Sequence, residues 1–221
     1  MAEDADLPKA RDMTLDDLDG VVKVHRDCFP SSVSIFSALD DSILKAYYAQ
    51  FVEESESYAA VLEQPGSGLI VGVTFGTRKP GIQGRFLHTH RFEFLLSVLK
   101  GLLTSKAMWG SLWSRLRKTN ALPLGEYDSE LAAKGVPVPQ GVEDLNMGIA
   151  IHSKFRGGGN AKRLIEYYTA RIFEIGATKI RGAILTKNIA SMTFFKRHGW
   201  KFKEISDTQV SVWIDRPDSD S

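Results

Sequence analysis

The sharpest chemical grouping in the chain is Arg156-Gly157-Gly158-Gly159-Asn160-Ala161, set between a strand-like run and a helical one. Consecutive glycines admit positive φ and let a ligand approach the backbone, while a helix starting there turns unpaired amides and its positive dipole end outward. The chemistry predicted is an anion site, most naturally for a phosphate or diphosphate. The run lacks the Lys-Ser/Thr ending of a nucleotide triphosphate loop, and three consecutive glycines miss the dinucleotide-binding spacing. A bare reversal between strand and helix is the plainer alternative. His88, His90 and Glu93 are read either as groups facing a second substrate or as the polar side of an amphipathic helix. No third ligand accompanies the two histidines, so no metal is expected.

These residues need elements to hold them. Leu7 to Arg11 reads as an edge strand, and Thr14 with Asp17 reads as the capped start of a helix that runs past His25 and Cys28 to Phe29-Pro30. A Ser-rich link, 31–34, leads to a second helix from about Asp41 to Glu54. Tyr58 to Leu62 and Leu69 to Phe75 form a hairpin around a Pro/Gly turn. Residues 82–141 hold two apolar helical runs, Phe86 to Leu103 and Met108 to Leu116, then a Pro/Gly-rich loop. Leu145 to Ile151 is strand-like, Lys162 to Ile175 a helix closed by Gly176, Lys179 to Leu185 a strand, and Ile189 to His198 a helix stopped by Gly199. Trp200 to Ile205 and Gln209 to Ile214 make a terminal hairpin. The alternation predicts an α/β chain with a mixed (α+β) sheet.

Composition bounds the function. The 221 residues carry 28 Lys plus Arg against 27 Asp plus Glu, so no global charge favours nucleic acid or an anionic membrane. The lone Cys28 allows neither an internal disulfide nor a Cys-rich zinc site, and with an acidic N-terminus it points to a reducing, cytoplasmic setting. No run approaches the ~20 apolar residues of a spanning helix.

The chain resembles the GNAT superfamily of acyl-CoA-dependent N-acyltransferases, whose signature is a strand, an Arg/Gln-x-x-Gly-x-Gly/Ala loop and a long helix. Arg156, Gly159 and Ala161 match that loop, Ile149-Ala150-Ile151-His152 stands where the family's strand ends, and Asn188, Ala190, Ser191, Phe195 and Gly199-Trp200 resemble its second signature. The helix entry near Thr14 and the strand around Gly72 fit its start. The resemblance covers roughly residues 7–80 and 142–214, and implies one domain over residues 1–221 with a helical insertion at about 82–141. It implies a central sheet splayed between the strands at 145–151 and 179–185, with pantetheine in the split. Ile149, Ala150 and Ile151 would then supply backbone contacts. Arg156, Gly157, Gly158, Gly159, Asn160 and Ala161 would hold the diphosphate of acetyl-CoA or another acyl-CoA, and Asn188, Phe194 and Phe195 would border the thioester.

The family often carries Tyr where this chain has Phe195, and that Tyr protonates the departing thiolate; Phe195 has no proton to give. Ser191, Thr193 or a water are the substitutes. Glu143 and Asp144, at the start of the strand, are the candidate general bases, with a solvated strand entrance as the plain alternative. The implied reaction is direct acyl transfer to an amine of a small-molecule acceptor. A covalent acyl-enzyme is set aside because Cys28 lies far in sequence from the motifs. The aromatic insertion is read as a helix packed on the sheet, a wall of the acceptor pocket, a lid or a homodimer contact, and Arg115, Arg117 and Lys118 as a solvated helix end. Competing readings are a CoA-binding module without transfer and an interaction domain that uses the insertion.

Overall fold

The computed structural model describes residues 7–29, 40–78, 82–93 and 143–217. Among the described residues, alternating apolar residues and glycine punctuation give seven strands: β1 (Lys9–Asp12), β2 (Ser57–Gln64), β3 (Leu69–Thr77), β4 (Glu143–Ile151), β5 (Lys179–Leu185), β6 (Lys201–Ser206) and β7 (Gln209–Asp215). They join in one sheet of order β1-β2-β3-β4-β5-β7-β6. Every neighbouring pair is antiparallel except β4 and β5. That parallel step is made by a crossover through a helix, as a parallel pair requires.

The helices are α1 (Leu18–Cys28), α2 (Asp41–Glu53), α3 (Ile82–Thr89), α4 (Asn160–Glu174) and α5 (Ile189–Arg197). Helix α1 begins as expected: the Thr14 amide and hydroxyl both donate to Asp17 Oδ2, at 2.8 and 3.0 Å. Arg11 of β1 closes on the same carboxylate with two bonds of 2.7 and 2.6 Å, a bidentate pair that fixes the helix entry to the edge strand.

Strand alternation sends side chains to two faces. On one, Ala59, Val61, Val73, Phe75 and Ala150 pack against α1, α2 and the start of α3. On the other, Ala60, Leu62, Val71 and Ile151 pack against Leu164 of α4. A separate cluster joins α4 and α5 to β5 and β7 through Ile165, Tyr168, Ile180, Phe195 and Val212. Gly72 matters here, because a Cβ on it would lie 2.6 Å from the end of the Ile151 side chain and 3.3 Å from the Ala150 carbonyl, so glycine gives that end of β4 room to settle closely on β3.

The first turns of the segment read as an insertion are a helix packed on the core. Ile82 and Phe86 are buried, and the Phe86 ring meets Tyr47 edge-on at 5.4 Å. The helix starts at Ile82, four residues before the expected Phe86, because Ile82 and Phe86 share one buried face. The other expectations for 94–141, including Trp109, Trp113 and the basic trio, lie outside the described residues, as do the Ser-rich link and the tail from 218. No described helix is long and apolar enough to cross a membrane.

Candidate functional site

β4 and β5 pair only at Glu143↔Lys179, Asp144↔Ile180 and Leu145↔Arg181. Past that point β4 stays with β3, from Phe75↔Gly148 to Gly72↔Ile151, and β5 stays with β7 as far as Leu185↔Gln209. The sheet therefore opens between Gly148–Ile151 on one side and Gly182–Leu185 on the other. Which backbone groups face the opening follows from one bond: the His152 amide donates to the Val71 carbonyl at 2.9 Å. In an antiparallel ladder successive residues point alternately to and from the partner, so the amides and carbonyls of Ile149 and Ile151 face away from β3, into the split.

Two adjoining clefts fill the opening. The larger, about 410 Å³, takes Ile149, Ala150, Ile151, Arg156 and Ala161 as one wall and Asn188, Ser191, Phe194 and Phe195 as the other. The smaller, about 210 Å³, shares Ile149, Asn188, Ser191 and Phe195 and reaches along β5 from Gly182 to Leu185. Most residues anticipated at the site thus meet at one opening.

Its rim is the glycine loop. Gly157, Gly158 and Gly159 have φ of 88°, 55° and 78°, a left-handed run that only glycine adopts without strain, and Gly159 stands at the N-cap of α4. Asn160 is turned inward and buried; its side-chain amide donates to the Phe155 carbonyl at 2.8 Å, so it braces the loop from beneath. One residue went unmarked in the sequence. Arg163, one helical turn into α4, folds its guanidinium over the loop, donating to the Gly158 carbonyl at 2.8 Å and to Asn160 Oδ1 at 2.9 Å. The readable signal was a cation four positions after Gly159, which returns to the same helix face. A nest of glycine amides beside Arg156 and Arg163 is suited to a diphosphate.

At the opposite wall Asn188 caps α5, its Oδ1 accepting from the Ser191 amide at 3.2 Å. Phe195 is buried against the Trp200 ring at 4.7 Å and carries no hydroxyl toward the cleft, whereas Ser191 lines both openings. Glu143 and Asp144 lie where β4 and β5 are still joined, so Asp144 is roughly 13 Å along the strand from Gly148 at ~3.3 Å per residue. His88 and Glu93 are exposed and His90 stacks on Phe86; none lines either cleft. No group of three His, Cys, Asp or Glu able to hold a metal occurs among the described residues.

The fold corrects one inference drawn from sequence separation. Cys28 is not remote: it lines the larger cleft, its thiol donates to the Ile151 carbonyl at 3.1 Å, and it lies 3.7 Å from an Arg156 guanidinium nitrogen. The Arg156 Nε bonds the same carbonyl at 3.2 Å. Burial pushes the Cys28 thiol up despite that arginine, which keeps it protonated and a poor nucleophile at neutral pH.

With this geometry in place, the comparisons with known proteins agree. Residues 112–200 match the model of the Acetyltransferase (GNAT) family. The match begins inside the segment 82–141 that was read as an insertion. No curated protein matches the chain. Among solved structures, the fold is similar to an N-acetyltransferase from Staphylococcus aureus Mu50 at 11% identity, covering 94% of this chain and 98% of that one, with a TM-score of 0.54. It is similar to the GNAT domain of S. lividans PAT at 14% identity, covering 95% and 90%, with a TM-score of 0.56. A third is PaiA N-acetyltransferase from Thermoplasma acidophilum in complex with coenzyme A, at 7% identity, covering 95% and 99%, with a TM-score of 0.57. The chain shares the fold of these acetyltransferases, and its residues 112–200, through α5 to Trp200, match the model of the GNAT family.

Proposed function

We propose that the chain is an acyl-CoA-dependent N-acyltransferase, with acetyl-CoA as donor and an amine of a small molecule as acceptor. One observation carries the reading: a split whose strand edge offers the groups of Ile149 and Ile151 runs directly into a loop of three left-handed glycines flanked by Arg156 and Arg163. An extended amide-bearing arm ending in a diphosphate matches both halves. Acetyl-CoA, when bound, would supply a thioester carbonyl already activated for attack.

The chain's own residues then have separable tasks. Gly157 to Gly159 and the two arginines hold the diphosphate, and the backbone groups of Ile149 with the Ile151 amide align the arm, the Ile151 carbonyl being held by Cys28 and Arg156. Asn188 and Ser191 border the reacting end, where Ser191 or a water on it delivers a proton to the leaving thiolate in place of the missing tyrosine. Glu143 or Asp144 is the base proposed for the amine's proton, which would reach it along a chain of waters over the roughly 13 Å between Asp144 and Gly148. Cys28, held protonated against Ile151, leaves attack to the amine itself, with no covalent acyl-enzyme.

A calorimetric titration with acetyl-CoA, followed by thiol release in the presence of an amine panel, tests the proposal. Binding with amine-dependent thiol release is expected; no binding at millimolar ligand overturns it. Phe195 favours a second reading, a CoA-binding module without transfer, for which binding without thiol release is the signature.

A further inference from the structure

The last turn of α1 ends against the corner where β4 runs into the glycine loop. That corner is a single 3-10 turn, Ser153–Phe155, whose first amide has no partner within the turn. Asp27 supplies one: its Oδ2 accepts from the Ser153 amide at 2.5 Å and its Oδ1 from the Ser153 hydroxyl at 2.8 Å, a contact across 126 positions of sequence. His152 Nδ1 lies 3.9 Å from the same carboxylate. The Ser153 amide is the main cause that holds the Asp27 carboxyl below the usual carboxylate range, so it is ionised at neutral pH. Next to it, the Cys28 thiol fastens the Ile151 carbonyl. Helix α1 is itself seated without slack, since a Cβ on Gly20 would fall 2.7 Å from Ile70 of β3.

We propose that Asp27 is a positioning residue that sets the glycine loop for the nucleotide end of the acyl donor. The inference rests on the acyl-CoA reading and adds to it a part played by α1, which contributes no residue to the loop. The carboxylate fixes where Ser153 stands, and three residues later Arg156 opens the loop, so the height of the glycine amides over the split is set from α1.

The test compares two donors. In Asp27→Ala the KM for acetyl-CoA should rise about tenfold, the scale of losing a charge-assisted bond, with kcat little changed. Acetyl-pantetheine, which lacks the diphosphate and nucleotide, should react with unaltered kcat/KM, and Asp27→Asn should fall between wild type and Asp27→Ala. Equal losses with both donors would show a merely structural role and overturn the proposal. Hydrogen exchange at the Ser153 amide, read without any ligand, should quicken in Asp27→Ala; unchanged exchange would also overturn it. If the unaltered chain binds no CoA, the acyl-CoA reading fails and this inference with it. That result differs from the failure of Asp27 alone, in which the unaltered chain binds and the variant matches it.

Discussion

Gly66 and Gly159 form a matched pair for isolating what the glycine loop does. Their φ values are 76° and 78°, and a Cβ would meet nothing within 4 Å at Gly66 and only the Arg163 side chain, at 3.7 Å or more, at Gly159. Alanine at either position is therefore strained by backbone conformation and not by collision, at about 1–2 kcal/mol. Gly66→Ala should lose that much stability, read as a shift of the urea midpoint at constant slope, and Gly159→Ala less, because its loop relaxes in the absence of ligand. They should part at the ligand. Gly66 lies in the β2–β3 turn, so Gly66→Ala should leave acetyl-CoA affinity unaltered. In Gly159→Ala the loop relieves its strain by leaving the conformation that presents its amides, and binding must restore it. The same 1–2 kcal/mol then appears as a Kd about 5- to 30-fold weaker, at 1.4 kcal/mol per tenfold. Calorimetry on the two purified variants checks both numbers. Equal affinities for Gly66→Ala and Gly159→Ala, with a smaller stability loss in Gly159→Ala, would refute the placement of the anion site at this loop.

His25 gives a pH test: it is buried with its Nδ1 2.8 Å from the Tyr48 hydroxyl, and burial, then Arg26, lowers it from 6.5 to about 4. Its neutral form is the folded one, so the stability it contributes is full above about pH 6.5 and is lost as pH falls toward 4, by roughly 2–3 kcal/mol; urea midpoints for wild type and His25→Gln should converge over that window, and parallel curves would disprove it. Phe195→Tyr should raise kcat several-fold if a missing acid limits transfer, and an unchanged rate would mean that thiolate departure is not limiting. Glu143→Gln and Asp144→Asn should between them remove the acidic limb of the kcat/KM profile, measured with a fixed amine; a limb that survives in both rules them out as the base.

The strands and most helix ends were legible because their signals are local. Leu69 to Phe75 alternates across a sheet with both faces covered, and Gly176 and Gly199 stop their helices with φ of 96° and 77°. Helix α4 starts at Asn160, two residues before the expected Lys162, because Gly159 in the left-handed region takes the N-cap itself. The cleft walls were readable for a similar reason: Ile149 to Ile151, the loop, and Asn188 to Phe195 each sit within short, punctuated motifs. Asp27, Cys28 and Arg163 were not. The first two act on residues more than 120 positions away, and nothing near Cys28 in sequence predicts a thiol donated to the Ile151 carbonyl. Arg163 has the sequence setting of any solvated cation on a helix, and its part in the loop lies in the guanidinium folded back on the Gly158 carbonyl.

The three-residue ladder between β4 and β5 has a consequence for how the molecule keeps to itself. Strand edges with unsatisfied amides recruit other chains, and proteins ordinarily hide them at the ends of a sheet. This sheet holds two such edges in its middle, facing each other, with the end of α1 on one side and α5 on the other. These helices narrow the approach for another molecule's sheet, whereas a single extended amide-bearing chain can lie along the edges as a surrogate strand. The site is in that sense a gap in the sheet's own pairing, guarded against aggregation by the helices that shape it.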